Sequence, residues 1–312
     1  MLNINSGKIS RAVKTVIYGT EGVGKSTLAS RFPSPLFLDI EGGTAQMDVR
    51  RIEKPATWPE LVAVVNEVAQ NPGICRTLVL DTADFAESMC IQSILKKYNQ
   101  KSIESFGYGK GYTYVGEEWQ KLMDAFNAVI NAGMNVCVIA HAKQRKIEQP
   151  DQIGAYDHWE MKLTRQVAPL LKEWADLLLF LNYKTNVVVT ESNSRKAQGG
   201  KRVMYTNHHP SWDAKNRNGL PDEMDLSFDG LSSIFAKSEI RNKKSEISSY
   251  ERLRELMADA GIEEYELRDF IASRGKQNAD LAVSDYPEDF IKKYCLYNWA
   301  KIESAINQTK GE

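Results

Sequence analysis

The segment Gly19-Thr20-Glu21-Gly22-Val23-Gly24-Lys25-Ser26-Thr27 follows the apolar run Ala12–Tyr18 and opens a helical pattern, Lys25–Arg31. It matches G-x-x-x-x-G-K-[ST], a loop that closes a strand and begins a helix. Glycines let the backbone wrap a phosphate chain, and the exposed N–H groups favour its negative charge. The motif therefore demands an α/β unit and points to a nucleoside triphosphate held by Gly19–Thr27. Lys25 is expected to reach the β- and γ-phosphates, and the Ser26 hydroxyl to ligate Mg²⁺.

The rest of the chain fits a parallel sheet flanked by helices. Strands are expected at Leu36–Ile40, Thr77–Asp81, Val136–Ala140, Leu177–Tyr183, Val187–Thr190 and Arg202–Tyr205. Their aliphatic runs do not alternate with polar residues, as suits strands covered on both faces. Helices are expected at Trp58–Gln70 behind a Thr57 cap, at Phe85–Tyr98 and at Glu117–Asn131. Thr77-Leu78-Val79-Leu80-Asp81 ends a buried strand in a carboxylate, so Asp81 is the expected second group for Mg²⁺. Asp84 reads as a helix cap and Asp39 as a strand-end cap.

Forty Lys+Arg stand against forty-one Asp+Glu among 312 residues, leaving a formal charge of −1. Any attraction to nucleic acid must then come from local patches. One exists: Lys184–Arg217 holds seven basic and two acidic residues. From Glu239 to Glu312 the balance reverses, with fifteen acidic and twelve basic residues in a helical pattern. Two domains are expected, 1–240 and 241–312. Four scattered cysteines without a Cys-x-x-Cys pair read as reduced thiols. Met1–Ser6 lacks the apolar stretch of a secretory leader, and Ala175–Leu181 is too short to span a bilayer.

The class of phosphate-loop protein turns on the second strand. Asp39-Ile40-Glu41-Gly42 matches the D-x-x-G of GTPases, but no Asn-Lys-x-Asp guanine motif follows, and no arginine-rich kinase lid is visible. Phe37-Leu38-Asp39-Ile40-Glu41 is similar to the RecA-type strand whose glutamate activates the attacking water, which implies that role for Glu41. Val136–His141 resembles that family's fourth strand, with His141 in the place of a γ-phosphate sensor.

More specifically, the chain resembles the phage-encoded RecA-like single-strand-annealing ATPases over about residues 12–235. The resemblance rests on the phosphate loop, Phe106–Tyr112, Ala140–Lys143, Leu171–Asp176 and Asp213–Pro221. It implies a RecA-like core with a mostly parallel sheet, ATP and Mg²⁺ as cofactors, and two DNA loops. The first, Ser102–Tyr114, offers Phe106, Tyr108, Lys110 and Tyr112: mobile backbone, stackable rings and cations, as non-specific single-strand binding uses. The alternative is that these rings tuck against their own core. The second, Ala142–Gln166, is expected to be a long structureless connection carrying Lys143, Arg145, Lys146, Lys162 and Arg165, with a solvated lid as its alternative. Val187–Ser192 and Lys201–Thr206 read as a hairpin turning at Gly199-Gly200. Ala214-Lys215-Asn216-Arg217-Asn218-Gly219 is similar to the loop of DnaB-type hexameric helicases that presents a Lys/Arg pair to the neighbouring subunit's γ-phosphate. Lys215 and Arg217 would then be catalytic in trans, in a homo-oligomeric ring or filament with ATP at subunit interfaces.

These features lead to an ATP hydrolase coupled to single-stranded DNA that promotes annealing or recombination. A hexameric helicase or loader with the same core, and a regulatory phosphate-loop ATPase that does not act on DNA, are the alternatives. The resemblance further implies a single-strand-binding protein as partner, no membrane, and the cytoplasm of a bacterial host.

Overall fold

The computed structural model describes residues 11–148, 154–189, 195–236 and 249–310. Consecutive strand residues are buried on opposite sides of one sheet. Val16 and Tyr18 of β1 (Lys14–Gly19) join one apolar cluster and Ile17 the other. Leu78 and Leu80 of β4 (Thr77–Asp81) likewise part from Val79, and Leu36 and Leu38 of β2 (Pro35–Asp39) part from Phe37. Two covered faces explain the unbroken apolar runs.

Among the described residues ten strands form the sheet, in the order β10 (Glu223–Asp225), β8 (Arg195–Tyr205), β7 (Leu177–Val189), β1, β5 (Asn135–Glu148), β4, β2 and β3 (Arg50–Ile52), with β6 (Ala155–Met161) paired to β5 and β9 (Lys215–Asn216) to β7. β1 runs parallel to β5 (Asn135–Glu148) and to β7 (Leu177–Val189); β4 runs parallel to β5 and β2. One strand, β5, thus separates the strand that ends in the phosphate loop from the strand that ends in Asp81. β8 (Arg195–Tyr205) and β10 (Glu223–Asp225) close one edge in antiparallel fashion. The remaining edge strand, β3 (Arg50–Ile52), was not expected: two exposed arginines and one isoleucine carry no apolar run.

Helices cover the first face. α2 (Trp58–Gln70) begins at Thr57, whose side chain accepts the Glu60 N–H, and buries Trp58, Leu61, Val65 and Val68 at helical spacing. α3 (Ala83–Lys97) and α5 (Val167–Trp174) bury Cys90 and Ile94, and Val167 and Leu171, in the same cluster. α1 (Lys25–Ala29) covers the opposite face with Leu28 and Ala29.

Three expectations change. α4 (Lys110–Asn131) begins seven residues earlier than the sequence suggests. Gly109, at φ 73°, turns the chain into it, and Gly111, Val115 and Trp119 form one buried stripe. Much of the anticipated Ser102–Tyr114 loop is therefore helical. Ala142–Gln166 is not structureless either, because β5 continues to Glu148 and pairs antiparallel with β6 (Ala155–Met161). Polar residues dominate both arms of this hairpin, so no hydrophobic alternation announced it. Finally, Gly199-Gly200 lies inside β8, opposite a register shift between Lys184 and Asn186, so the pair accommodates a bulge rather than a turn. Residues 190–194, which join β7 to β8, lie outside the described residues, and with them Thr190 and Ser192 of the expected hairpin.

The chain divides into two compact units, Met1–Ser238 and Glu239–Glu312. The second has its own core, in which Leu253 and Met257 of Ser249–Ala260, Leu267 and Ile271 of Glu264–Ser273, and Ile302 and Ile306 of Trp299–Lys310 meet Val283, Ile291 and Cys295. Its second helix starts with a capping box, the Glu263 N–H donating to Glu266 Oε2 at 2.7 Å. Among the described residues, no helix is long and apolar enough to cross a membrane. All four cysteines are buried and free.

Candidate functional site

β1 ends at Gly19, held between His141 of β5 and Leu181 of β7. A methyl group on Gly19 would stand 2.3 Å from the Leu181 carbonyl oxygen, so this position admits glycine alone. The loop then turns through Gly22 at φ 70° and Gly24 at φ 107°, left-handed conformations that favour glycine. Lys25 is buried, and its Nζ donates to the carbonyls of Gly19 (3.1 Å) and Thr20 (3.0 Å). Burial draws its pKa down, while the carboxylates of Asp81, Glu41, Asp84 and Glu21 pull it back up. Thr20 Oγ1 is buried without a hydrogen-bond partner, an orphaned polar atom within the cradle.

Ser26 Oγ donates to Asp81 Oδ2 at 2.6 Å. Asp81 is almost wholly buried, and that burial pushes its carboxyl up to about 6 against the lowering effect of the Ser26 bond. Two oxygen donors beside a phosphate loop suit Mg²⁺, which takes one or two protein oxygens and fills its other positions with phosphate and water. The residues therefore fit the metal the motif implies.

The backbone N–H groups of Ile40 and Glu41 both donate to the Asp81 carbonyl, at 2.7 and 3.2 Å, so the end of β4 fixes where Glu41 sits. Asp39 accepts the Gly42 N–H (2.6 Å), the Thr44 N–H (2.9 Å) and the Thr44 hydroxyl (2.6 Å). It is the strand-end cap the sequence suggested, shaping the turn that follows Glu41.

His141 lies beside Gly19 in register and at the heart of a carboxylate array. Its Nδ1 is 2.8 Å from Asp84 Oδ2, its backbone N–H donates to Asp84 Oδ1 at 3.1 Å, and its Nε2 is 3.9 Å from Glu41 Oε2. The Asp84 hydrogen bond raises the histidine's pKa, against partial burial. Asp84 is half-buried, yet its bonds from His141 hold it below the ordinary carboxylate value. The sequence suggested a helix cap for Asp84; the structure makes it the residue that orients His141. A γ-phosphate sensor has to donate a hydrogen bond, and a neutral imidazole has one N–H to give. Its single N–H faces Asp84 instead, so Nε2 donates only when the ring is protonated, the form Asp84 favours.

Lys25, Ser26, Asp81, Glu41 and His141 thus converge at the C-terminal ends of β1, β4 and β2 and at the middle of β5. Lys215 and Arg217 do not join them. β9 (Lys215–Asn216) pairs with Leu178 and Leu177 at the start of β7, roughly 10–13 Å along the strand from the Leu181 level of the loop. Lys215 Nζ donates to the Lys172 and Glu173 carbonyls at the end of α5 (3.1 and 3.0 Å). The exposed Arg217 stands 3.7 Å from Asp176, which Arg11 already engages at 2.7 Å.

The candidate nucleic-acid residues fall into two groups. Phe106 is half-buried and meets Tyr98 and Tyr114 edge-on, each at 5.5 Å. Tyr112 is half-buried too, its hydroxyl donating to Glu104 at 3.0 Å, whereas Tyr108 is fully exposed and Lys110 is exposed at the head of α4. For Phe106 the tucked alternative holds. On the β5–β6 hairpin, Arg145 and Lys146 are exposed, while Lys143 donates to the Leu163 carbonyl (2.9 Å) and faces Glu160 (3.4 Å). Lys162 and Arg165 are exposed just beyond β6. Buried Glu87 fastens the hairpin's end to α3, accepting the Thr164 N–H (3.1 Å) and hydroxyl (2.6 Å).

A strand, phosphate loop and helix, with a serine–aspartate pair and a glutamate at adjacent strand ends, define a P-loop ATPase. The AAA domain family matches residues 11–218, and the chain belongs to that family. It is 24% identical over 136 residues to YorG, an uncharacterized SPbeta prophage-derived protein of Bacillus subtilis (strain 168). That match covers 42% of this chain and 41% of the relative, about two fifths of its length. Among solved structures, the KaiC-like protein PH0186 of Pyrococcus horikoshii OT3 aligns with 66% of this chain and 84% of its own, at 9% identity and a TM-score of 0.36. The flagellar accessory protein FlaH of Methanocaldococcus jannaschii aligns with 70% of this chain and 85% of its own, at 11% identity and a TM-score of 0.33.

Proposed function

We propose that this ATPase binds single-stranded DNA through the β5–β6 hairpin and uses ATP to promote strand annealing or recombination. One observation carries the reading: β5 is a single strand whose buried half ends at His141, beside the phosphate loop, and whose outer half bears Lys143, Arg145 and Lys146. α3 reinforces the connection, because Asp84 on its first turn holds His141 and Glu87 one turn later holds the base of the hairpin. A change at His141 is transmitted through two rigid elements to the cationic arm, and DNA on that arm acts back on the site by linkage.

In hydrolysis Glu41 orients and deprotonates the attacking water. Lys25 leaves its two carbonyl partners for the phosphate chain. His141, in the protonated form that Asp84 favours, donates from Nε2 toward the γ-phosphate. Mg²⁺ on Ser26 and Asp81, when bound, offsets charge on the β- and γ-phosphate oxygens. Lys215 and Arg217, remote from the site of their own subunit, serve the site of a neighbour in a homo-oligomer. The prophage-derived relative suits a phage-borne chain acting in a bacterial cytoplasm beside a single-strand-binding protein.

The test is ATP turnover with and without single-stranded oligonucleotides, for wild type and Lys25→Ala. Stimulation by single strands that Lys25→Ala abolishes supports the reading. Turnover indifferent to DNA, with no salt-sensitive binding, sinks it in favour of a regulatory ATPase. Strand displacement without annealing of complementary oligonucleotides assigns the chain to helicases.

A further inference from the structure

Tyr183 and Arg202 are cross-strand partners at the base of the β7–β8 ribbon, and both reach the phosphate loop. The Tyr183 hydroxyl donates to the Gly22 carbonyl at 2.9 Å. Arg202 stands beside Gly24, where a methyl group would lie 3.2 Å from Nη1. The neighbouring lysines are neutralised: Lys184 bonds both carboxylate oxygens of Glu223 at 2.8 Å, and Lys201 pairs with Asp225. Among the described residues, Arg202 has no carboxylate within 4.0 Å. A guanidinium set against a loop built to present N–H groups faces partial charges of its own sign. An anion between them turns that repulsion into attraction on both sides.

We propose that Arg202 is a phosphate-binding residue of the nucleotide site, acting within its own subunit. Its neighbour Gly24 belongs to the part of the loop that cradles the α- and β-phosphates. Arg202 therefore reads the diphosphate portion common to ATP and ADP, with the planar fork that suits phosphate oxygens. Tyr183 is a positioning residue that fixes the Gly22 turn. This rests on the nucleotide reading of the phosphate loop and is independent of DNA.

The experiment titrates the full chain with fluorescently labelled ADP and ATP in Mg²⁺, comparing wild type with Arg202→Ala, Arg202→Lys and Tyr183→Phe. Arg202→Ala is expected to weaken ADP and ATP alike, by about tenfold or more, while the thermal midpoint without nucleotide stays put. Arg202→Lys should recover part of the loss, because a point charge replaces the fork. Tyr183→Phe should weaken both nucleotides less than Arg202→Ala does. Wild-type ADP affinity in Arg202→Ala overturns the proposal, as does a loss confined to ATP, which would place the arginine on the γ-phosphate. Wild-type protein that binds neither nucleotide overturns the reading of the loop itself, a separate outcome from the first two.

Discussion

Asp84 grips His141 twice, once through the backbone N–H at 3.1 Å and once through ring Nδ1 at 2.8 Å, and so leaves Nε2 facing Glu41. Asp84 lies in the first turn of α3 and His141 midway along β5, beside the phosphate loop, and each shifts the other. Their mutual hydrogen bond raises the histidine's pKa and helps to hold the aspartate's down. The pairing favours the protonated ring of His141, whose Nε2 then offers a second donor in the site that holds Lys25.

Asp84→Asn should lower the His141 pKa, read by NMR titration of its ring, and should move the alkaline limb of the ATPase profile, where the protonated ring is lost, the same way. The sign also fixes a stability window. A raised histidine stabilises below its unfolded pKa of about 6.5, and that contribution fades as pH rises through the folded value. A depressed aspartate stabilises above about 3.9 and loses its contribution as pH falls through the folded value. The deficit of Asp84→Asn against wild type should therefore be largest between about pH 4 and 6.5, on the order of 1–3 kcal/mol for a charged hydrogen bond. A deficit independent of pH would show that the pair does not ionise as an ion pair.

Gly19→Ala tests the placement of the loop between two strands. The added methyl meets the Leu181 carbonyl at 2.3 Å, and pairing to β5 and β7 on both sides denies β1 room to shift. A loss of about 1–3 kcal/mol is expected from overpacking, with weaker nucleotide binding alongside. Urea denaturation checks it, and an unchanged midpoint would mean that the β1–β7 contact is looser than described.

Lys215 and Arg217 make a sharper case because their own phosphate loop lies out of reach. Arg217→Ala should leave nucleotide affinity intact while lowering turnover by up to about 10³-fold or more, as removal of an arginine finger does. Mixed with Glu41→Ala protein, it should regain activity, since each variant supplies what the other lacks at a shared interface. Absence of rescue would return Arg217 to a role with Asp176 and Arg11.

The phosphate loop, Asp81, Glu41 and the flanking strands were legible because each combines a local motif with a buried apolar run. Asp84 was not. A carboxylate at a helix start looks the same whether it caps its own backbone or holds a histidine fifty-seven residues away. Glu87 escaped for the same reason, its partner Thr164 being remote in sequence. The β5–β6 hairpin was missed because its pairing is carried by backbone ladders between polar residues, which leave no periodic apolar signature. Arg202 could have been found only by knowing that the bulge at Gly199-Gly200 extends β8 and brings its cation back over Gly24.

The hairpin's part in holding DNA can be read from salt. Each Lys or Arg that neutralises a phosphate of a single strand contributes about 0.7 to the slope of log affinity against log salt. Arg145→Ala and Lys146→Ala remove exposed cations that have no ion-pair partner among the described residues, so each should lower the slope by roughly that amount while leaving the thermal midpoint unchanged. Lys143→Ala should behave differently, losing stability as well, because its ammonium also anchors the Leu163 carbonyl and Glu160. A slope that survives all three substitutions would move the DNA contact elsewhere, to the exposed Tyr108 and Lys110 at the head of α4 or to Lys162 and Arg165 beyond β6.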